Sequence, residues 1–502
     1  MRRAVGGTRA LRAVAGCGSR SATLRAECGS RSATLRAVAG CGSRSAFLAG
    51  ALLVVAGCGS RSALLDGNEG GAGGGDVCGP PVVTAACATV IAKTPPGTEV
   101  WNKAIDVGDL SLLGPVAADL EGGTYFVGAE GSLYVRKVLA LDACGALRWE
   151  ADVADLVAGS GYVPQIMIAR GRLLVVGIGN IVALDLATGA HVWTADLNAF
   201  AEGGGLGVSP GKAIATGFTA ARADGTVFTT IANDADLWLV TVDTDGAIHT
   251  VAKVASYYGS AGYPLNAQQL VIDAAGDVVI AGGANWSTGE PLRAIAPGGD
   301  VVFSSALPGW GIGAALAAGP DYVAGRGLWI LGLDGALRNS YPGGGVPYVG
   351  WDAPVVIDSD GGLYTVGGEQ VEGQSSLTYD RIGHFSPSGD PIWSVPLGEN
   401  IFAGPVLGAD GEVFVATAAG FDAGSAAHLW ALGTDGSVRW NTEIGPSGKV
   451  PTYWLLQAAS GALTLVANGQ VRAFATGSTP ATCAHWPTPR GDLGQRACAF
   501  GL

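Results

Sequence analysis

The side chains best suited to chemistry in this chain are carboxylates and thiols. Three acidic runs gather oxygen donors of the kind that hold calcium: Asp358-Ser359-Asp360-Gly361-Gly362, Asp243-Thr244-Asp245-Gly246 and Asn233-Asp234-Ala235-Asp236. A loop-type calcium site needs more oxygens and a distal glutamate, which these runs lack. Asp-Gly between apolar segments is a strong hairpin signal, so the runs read as turns. The 5 scattered histidines leave little material for a metal centre, and no metal ligand is expected. No Ser-His-Asp order or glutamate pair stands out, and no catalytic residue is assigned.

The thiols fall into two groups. Cys17, Cys28, Cys41 and Cys58 are each followed by Gly-Ser-Arg-Ser-Ala. Only Cys58 follows an apolar run, residues 46–56, with Arg36 and Arg44 upstream. That run is too short to span a bilayer and reads, with 46–57, as a signal-peptide core. Val55-Ala56-Gly57-Cys58 resembles the bacterial lipobox. The resemblance implies cleavage before Cys58, lipid on its sulfur and new amino terminus, and, with Gly59 next, the outer membrane. Residues 1–45 are then an unfolded repetitive leader or a start assigned too early, and 58–77 the lipidated cysteine with a glycine-rich tether. An exported chain permits disulfides. Cys78 with Cys87 and Cys483 with Cys498 are the natural local pairs, stapling segments 78–95 and 479–502; other connectivities stay open. Cys144, in the turn 142–145, is left over as a free thiol.

Charge narrows the partners. The net charge is −13, but residues 1–57 hold nine arginines and one glutamate, so the remainder carries 20 basic and 41 acidic residues, a net of −21. Such a body repels nucleic acid and anionic lipid. Nucleic acid is therefore excluded, and membrane contact is expected only through the anchor.

The elements that must carry these residues are announced by a repeat. Eight glycines each precede, by four residues, one structural position: Gly97/Trp101, Gly145/Trp149, Gly189/Trp193, Gly246/Thr250, Gly299/Phe303, Gly335/Asn339, Gly389/Trp393 and Gly436/Trp440. Successive glycines lie 48, 44, 57, 53, 36, 54 and 47 residues apart, the period of a supersecondary array. The stretch 173–193 reads as strand, Gly-Asn turn, strand, Thr-Gly turn and a strand carrying Trp193. Gly131-Ser-Leu-Tyr-Val, Gly362-Leu-Tyr-Thr-Val and Gly411-Glu-Val-Phe-Val read as the strand that opens the same grammar. An innermost strand is expected to begin after Pro115, Pro354 and Pro405, giving four strands per unit, the blade of a β-propeller. Trp238, Trp329 and Trp430 are expected on inner strands. Strands near 463–477 lack an outer partner, whereas 98–105 is an outer strand without a blade. Pairing them closes an all-β propeller of eight four-stranded blades over 96–478 and removes the open edge. Seven blades is the alternative if the short unit at Gly335 is not a blade. Trp101, Trp149, Trp193, Trp393 and Trp440 then pack blade against blade. Trp286, Trp310, Trp351 and Trp454 fall in or near connections, where they serve either core packing or a contact surface.

The phrase Ala183-Leu-Asp-Leu-Ala-Thr-Gly-Ala-His-Val-Trp193 resembles the tryptophan-docking motif of the quinoprotein (PQQ-like) propeller family. The family holds both quinone-dependent dehydrogenases and non-catalytic scaffolds. Resemblance to the dehydrogenases implies a vicinal disulfide, a calcium site and a catalytic aspartate, and this chain has no adjacent cysteines. In anchor, blade count and repeat it is similar to the lipoprotein subunits of outer-membrane barrel-assembly machineries. The expectation is a monomeric, exported, lipid-anchored scaffold without cofactor that binds an envelope protein or glycan. The alternative is a periplasmic oxidoreductase using PQQ and calcium.

Overall fold

The computed structural model describes residues 22–28, 31–37 and most of 85–478; outside it lie the remaining terminal segments and several connections between strands, the longest being 257–266 and 341–354. The chain divides into two units, 1–71 and 72–502. In the first, strands Ala22–Cys28 and Arg31–Ala37 pair antiparallel, Leu24 facing Leu35. The duplicated words supply two strands of like pattern separated by only two residues, although an isolated hairpin is marginally stable in water.

The second unit contains eight four-stranded antiparallel sheets, so the all-β, eight-bladed propeller is the fold. Blade 1 comprises Leu110–Ala118, Thr124–Glu130, Tyr134–Leu141 and Leu147–Asp152. Blade 2 comprises Gln165–Ala169, Arg172–Val176, Asn180–Asp185 and His191–Asp196. Blade 3 is Ile214–Ala221, Val227–Ala232, Asp236–Val242 and Ile248–Ser256, and blade 4 is Ala267–Ile272, Val278–Gly282, Pro291–Ile295 and Val301–Ala306. Blade 5 is Leu316–Ala318, Tyr322–Gly325, Trp329–Gly332 and Leu337–Asn339. Blade 6 is Val355–Ile357, Leu363–Gln370, Leu377–Phe385 and Pro391–Pro396, and blade 7 is Asn400–Leu407, Val413–Ala418, Ala426–Leu432 and Val438–Pro446. Blade 8 takes Trp454–Gln457, Ala462–Ala467 and Gln470–Ala475 from the end of the repeat array and Glu99–Ala104 from its beginning.

The short unit at Gly335 is thus a full blade with strands of three or four residues, which settles eight against seven. The innermost strands touch in order around the ring, and that of blade 8 meets that of blade 1. Closure is by the amino-terminal strand: Trp101 pairs with Ala473 and Lys103 with Val471, while Arg472 Nε donates to Glu99 Oε2 at 2.6 Å. Hydrophobic clusters follow the seams between blades, as at blades 1 and 2, 6 and 7, and 7 and 8.

The repeated glycine sits in the turn before each outer strand, with φ of +79° at Gly97, +73° at Gly189 and +77° at Gly335. The side chain four residues later docks on the next blade's glycine. A Cβ on Gly145 would lie 2.7 Å from the Trp101 ring, on Gly189 2.5 Å from Trp149, and on Gly97 3.1 Å from Trp440. Phe303 occupies the same place under Gly335 and Asn339 under Gly389. At Gly299 the neighbour is the Val251 carbonyl, 2.6 Å away, because Thr250 offers no ring.

Several local expectations need correction. Pro115 and Pro405 lie inside innermost strands, at register shifts where the ladder is interrupted and a missing N–H costs little. In blade 1 the second strand is Thr124–Glu130, and Gly131 falls after it, because Tyr134–Leu141 forms one long third strand. Trp238, Trp329 and Trp430 lie, inside their sheets, on third strands. A helix, Ala85–Lys93, precedes the closing strand and packs Ile91 on Ala462 and Ala473 of blade 8; Pro95 and Pro96 end it. Among the described residues no helix is long and apolar enough to cross a membrane.

Candidate functional site

The aspartates offered above as calcium donors are used by their own turns. Asp358 Oδ1 accepts from the amides of Asp360 at 2.9 Å and Gly362 at 2.7 Å; Asp243 Oδ1 accepts from Ala247 at 2.9 Å. Asp142 does the same for Cys144 and Ala146. These are side-chain mimics of a backbone turn. Asn233 and Asp234 lie outside the described residues. Among the described residues no three metal-ligating side chains converge.

Cys144 is disulfide-bonded, which corrects its reading as a free thiol. Cys58, Cys78, Cys483, Cys498 and the Cys87 side chain lie outside the described residues. Local spacing suggested pairs within each terminal segment and gave no hint that a turn of blade 1 would take part.

The five docking tryptophans serve the seams. Trp101 Nε1 donates to the Ala143 carbonyl at 3.2 Å, Trp149 to Leu186 at 3.1 Å, Trp193 to Thr244 at 2.9 Å and Trp393 to Thr434 at 2.7 Å. Each acceptor is in the next blade, so ring and N–H are both committed. Trp440 packs on Gly97, but its buried Nε1 has no partner among the described residues. Trp286, Trp310 and Trp351 lie outside the described residues, and Trp454 opens the innermost strand of blade 8 with its side chain outside them.

Among the described residues, polar clusters centre on Asp119, Asp358 and Glu399. In blade 1 the Tyr125 hydroxyl donates to Asp119 Oδ2 at 2.6 Å, and Arg148 Nη1 reaches both, at 2.9 and 3.2 Å. Burial, aided by Asp119, holds the phenol well above its ordinary pKa, so it stays a donor. In blade 6 Tyr364 donates to Asp358 Oδ2 at 3.2 Å and stacks on His384 with centroids 4.1 Å apart. Burial lowers the His384 pKa, which keeps the ring neutral behind Trp393. The third cluster is the one most shaped for chemistry. Glu399, in the link between blades 6 and 7, accepts from Thr417 Oγ1 at 2.5 Å and from His428 Nδ1 at 2.9 Å. Thr417 and His428 face each other across neighbouring strands, and Trp430 Nε1 donates to Thr417 Oγ1 at 2.8 Å. An imidazole oriented by a carboxylate is half of a general-base device. The only hydroxyl within this cluster is Thr417, already donor and acceptor, so the cluster works as a pin between the link and blade 7. Its members come from three successive elements, the link at Glu399 and the strands of Thr417 and His428, and only the pairing of those strands brings them together, so no spacing revealed it.

Blade 4 shows what happens when the partner is missing. Asp273 is fully buried and its Oδ1 accepts from Ala275 and Asp277, but Oδ2 has no partner among the described residues. Tyr125 and Tyr364 lie six residues after their aspartates; six after Asp273 comes Val279. Burial pushes the Asp273 pKa up to about 6. A carboxyl whose folded pKa exceeds its unfolded value of about 3.9 favours the fold below the latter and loses that contribution as pH rises through the former. Asp273→Asn should therefore remove on the order of 1–2 kcal/mol of stability loss between about pH 4 and pH 7. The check is urea unfolding of both proteins across that range; a constant difference between them at every pH would refute the assignment.

No known protein family matches the sequence, and no curated protein does. Solved propellers are similar to it. BamB from Moraxella catarrhalis is 17% identical over 75% of this chain and 97% of its own, with a TM-score of 0.33. The Dos1 propeller is 11% identical over 75% and 94%, with a TM-score of 0.48. The WD40 domain of SCAP from fission yeast is 10% identical over 75% and 98%, with a TM-score of 0.44. At these levels the likeness says nothing about activity or partners.

Proposed function

We propose that this chain is a non-catalytic propeller scaffold, held at the bacterial outer membrane by lipid on Cys58, that binds an envelope protein or glycan without a cofactor. Strand direction is the observation that carries the binding part. Connections after second strands and after outer strands open on one face of the wheel, and Trp286, Trp310, Trp351 and Trp454 all belong to or border such connections. The five docking tryptophans serve the seams and Trp238, Trp329 and Trp430 lie on third strands, whereas these four are assigned to contact with a partner. The anchor rests on the charge, apolar run and small-residue cysteine box at 36–58.

Two experiments test the halves separately. Cells fed radiolabelled palmitate should label the wild-type protein and not Cys58→Ser, which should leave the membrane fraction; equal labelling would remove the anchor. Photo-crosslinking residues at the four tryptophan positions should trap an envelope component, while one at Leu147 on the outer rim should not. Incubation with PQQ and calcium should produce no spectral change. Stoichiometric quinone binding with dye reduction would overturn the scaffold in favour of an oxidoreductase.

A further inference from the structure

Beneath each docking tryptophan runs a row of side chains across the sheet. In blade 1 the row is Tyr125, Ala140, Trp149; in blade 6 Tyr364, His384, Trp393; in blade 7 Phe414, Ala431, Trp440. The second-strand aromatic fills the space under the indole, with ring centroids 5.8, 6.0 and 6.0 Å apart. Blade 2 has Leu174, Ala183 and Trp193 in this row. Where the aromatic is replaced by leucine, a cavity of about 260 Å³ opens between blades 2 and 3, bounded by Leu174, Trp193, Arg170 and Arg172. It falls near the lower limit of ligand sites, the size of one side chain or small ring.

Its mouth is cationic in an acidic protein. Arg170 is exposed, with its side chain lying over Gly225 of blade 3; Nη1 reaches the Asp224 carbonyl at 3.5 Å, and among the described residues no carboxylate pairs with it. Arg172 spends one edge of its fork on Asp185 at 2.9 Å, which leaves further N–H donors. The backbone adds a second observation. In five other blades the innermost and second strands join through five-residue turns such as 119–123 and 358–362, and in blades 5 and 8 through three and four residues, whereas blade 2 uses only the two residues Arg170-Gly171. Both have positive φ, +46° and +69°. Glycine or asparagine suits the first of these positions, and arginine there is held at a conformational cost.

We propose that this cleft binds a small aryl carboxylate, its ring in the leucine-floored cavity beside Trp193 and its carboxylate between Arg170 and Arg172. Paired guanidiniums select a planar anion by parallel hydrogen bonds, and the indole supplies an apolar wall for the ring. The ligand is either a free aromatic acid or the carboxy-terminal aromatic residue of a peptide. The site is independent of the lipid anchor and of the opposite face.

The test is calorimetric titration of the full chain with four probes: 3-phenylpropionate, its amide, N-acetyl-Gly-Gly-Phe and that peptide's amide. Both acids should bind and both amides should bind at least about tenfold more weakly. A peptide acid about tenfold tighter than phenylpropionate marks a chain terminus as the ligand, and the reverse marks a free acid. Leu174→Phe, which restores the filler of blades 1, 6 and 7, should abolish binding. Arg170→Gly should weaken it about tenfold while the protein unfolds at equal or higher urea, since glycine relieves the backbone. No binding at about 10 mM, amides as good as acids, or unchanged binding in Arg170→Gly would each overturn the proposal.

Discussion

Substituting alanine for Gly189 is expected to cost about 3 kcal/mol of unfolding free energy, far more than the same change at Gly171. Both glycines are left-handed, with φ of +73° and +69°, so both variants carry a backbone penalty of about 1–2 kcal/mol. They differ in what the methyl group meets. At Gly171 nothing lies within 4 Å; at Gly189 the Trp149 ring is 2.5 Å away. Trp149 is 8% exposed and its Nε1 is bonded to Leu186, so the ring cannot retreat without losing both packing and hydrogen bond. Overpacking of this kind adds about 1–3 kcal/mol. Urea unfolding of the two single variants measures the difference directly. Equal losses would mean that the glycines serve only turn geometry and that blade docking is incidental.

Deleting residues 85–105 should abolish the monomeric fold. The segment supplies the outer strand of blade 8, the Trp101 that docks on Gly145 of blade 1, and the Gly97 on which Trp440 of blade 7 rests. Both seams of one blade are lost together. Truncating a single buried large aromatic costs about 3–5 kcal/mol, and a whole domain has only about 5–15 kcal/mol in hand. The strand 470–475 would also become an open edge. Size-exclusion chromatography should show the truncated chain as aggregate. A synthetic peptide of residues 95–105 added during refolding should restore the monomer, and a monomeric truncated chain would count against closure by this strand.

How much of this was legible in the sequence depended on whether a feature repeats. The glycine and the residue four beyond it recur eight times, and together with the orphan strand at 98–105 they disclose blade number, docking and closure. Prolines misled: Pro115 and Pro405 look like strand starts, yet they sit at bulges inside strands, where the ladder already lacks a bond. The helix at 85–93 is too short for its periodicity to stand out, and its partners Ala462 and Ala473 are remote. Cross-strand relations were out of reach for a different reason. The Glu399, Thr417 and His428 pin and the Leu174 cavity depend on register, which emerges only once strands are paired. Aligning the second strands of blades 1, 2, 6 and 7 would have exposed Leu174 as the residue that departs from Tyr125, Tyr364 and Phe414.

The closing strand also sets a timetable. Glu99 bonds to Arg472, 373 positions away. The strand made early is therefore the one used late, for it stays without its sheet until nearly the whole repeat array has been synthesised. Blades 1 to 7 have all four strands consecutive and are free to form in order, whereas blade 8 waits for both ends of the array. Folding of the ring is thus governed by its most distant contact, the circumstance that slows domains rich in non-local pairing. Until that pairing forms, the early strand is a bare β edge, and whatever escorts the newly made chain has this one segment to keep from pairing elsewhere.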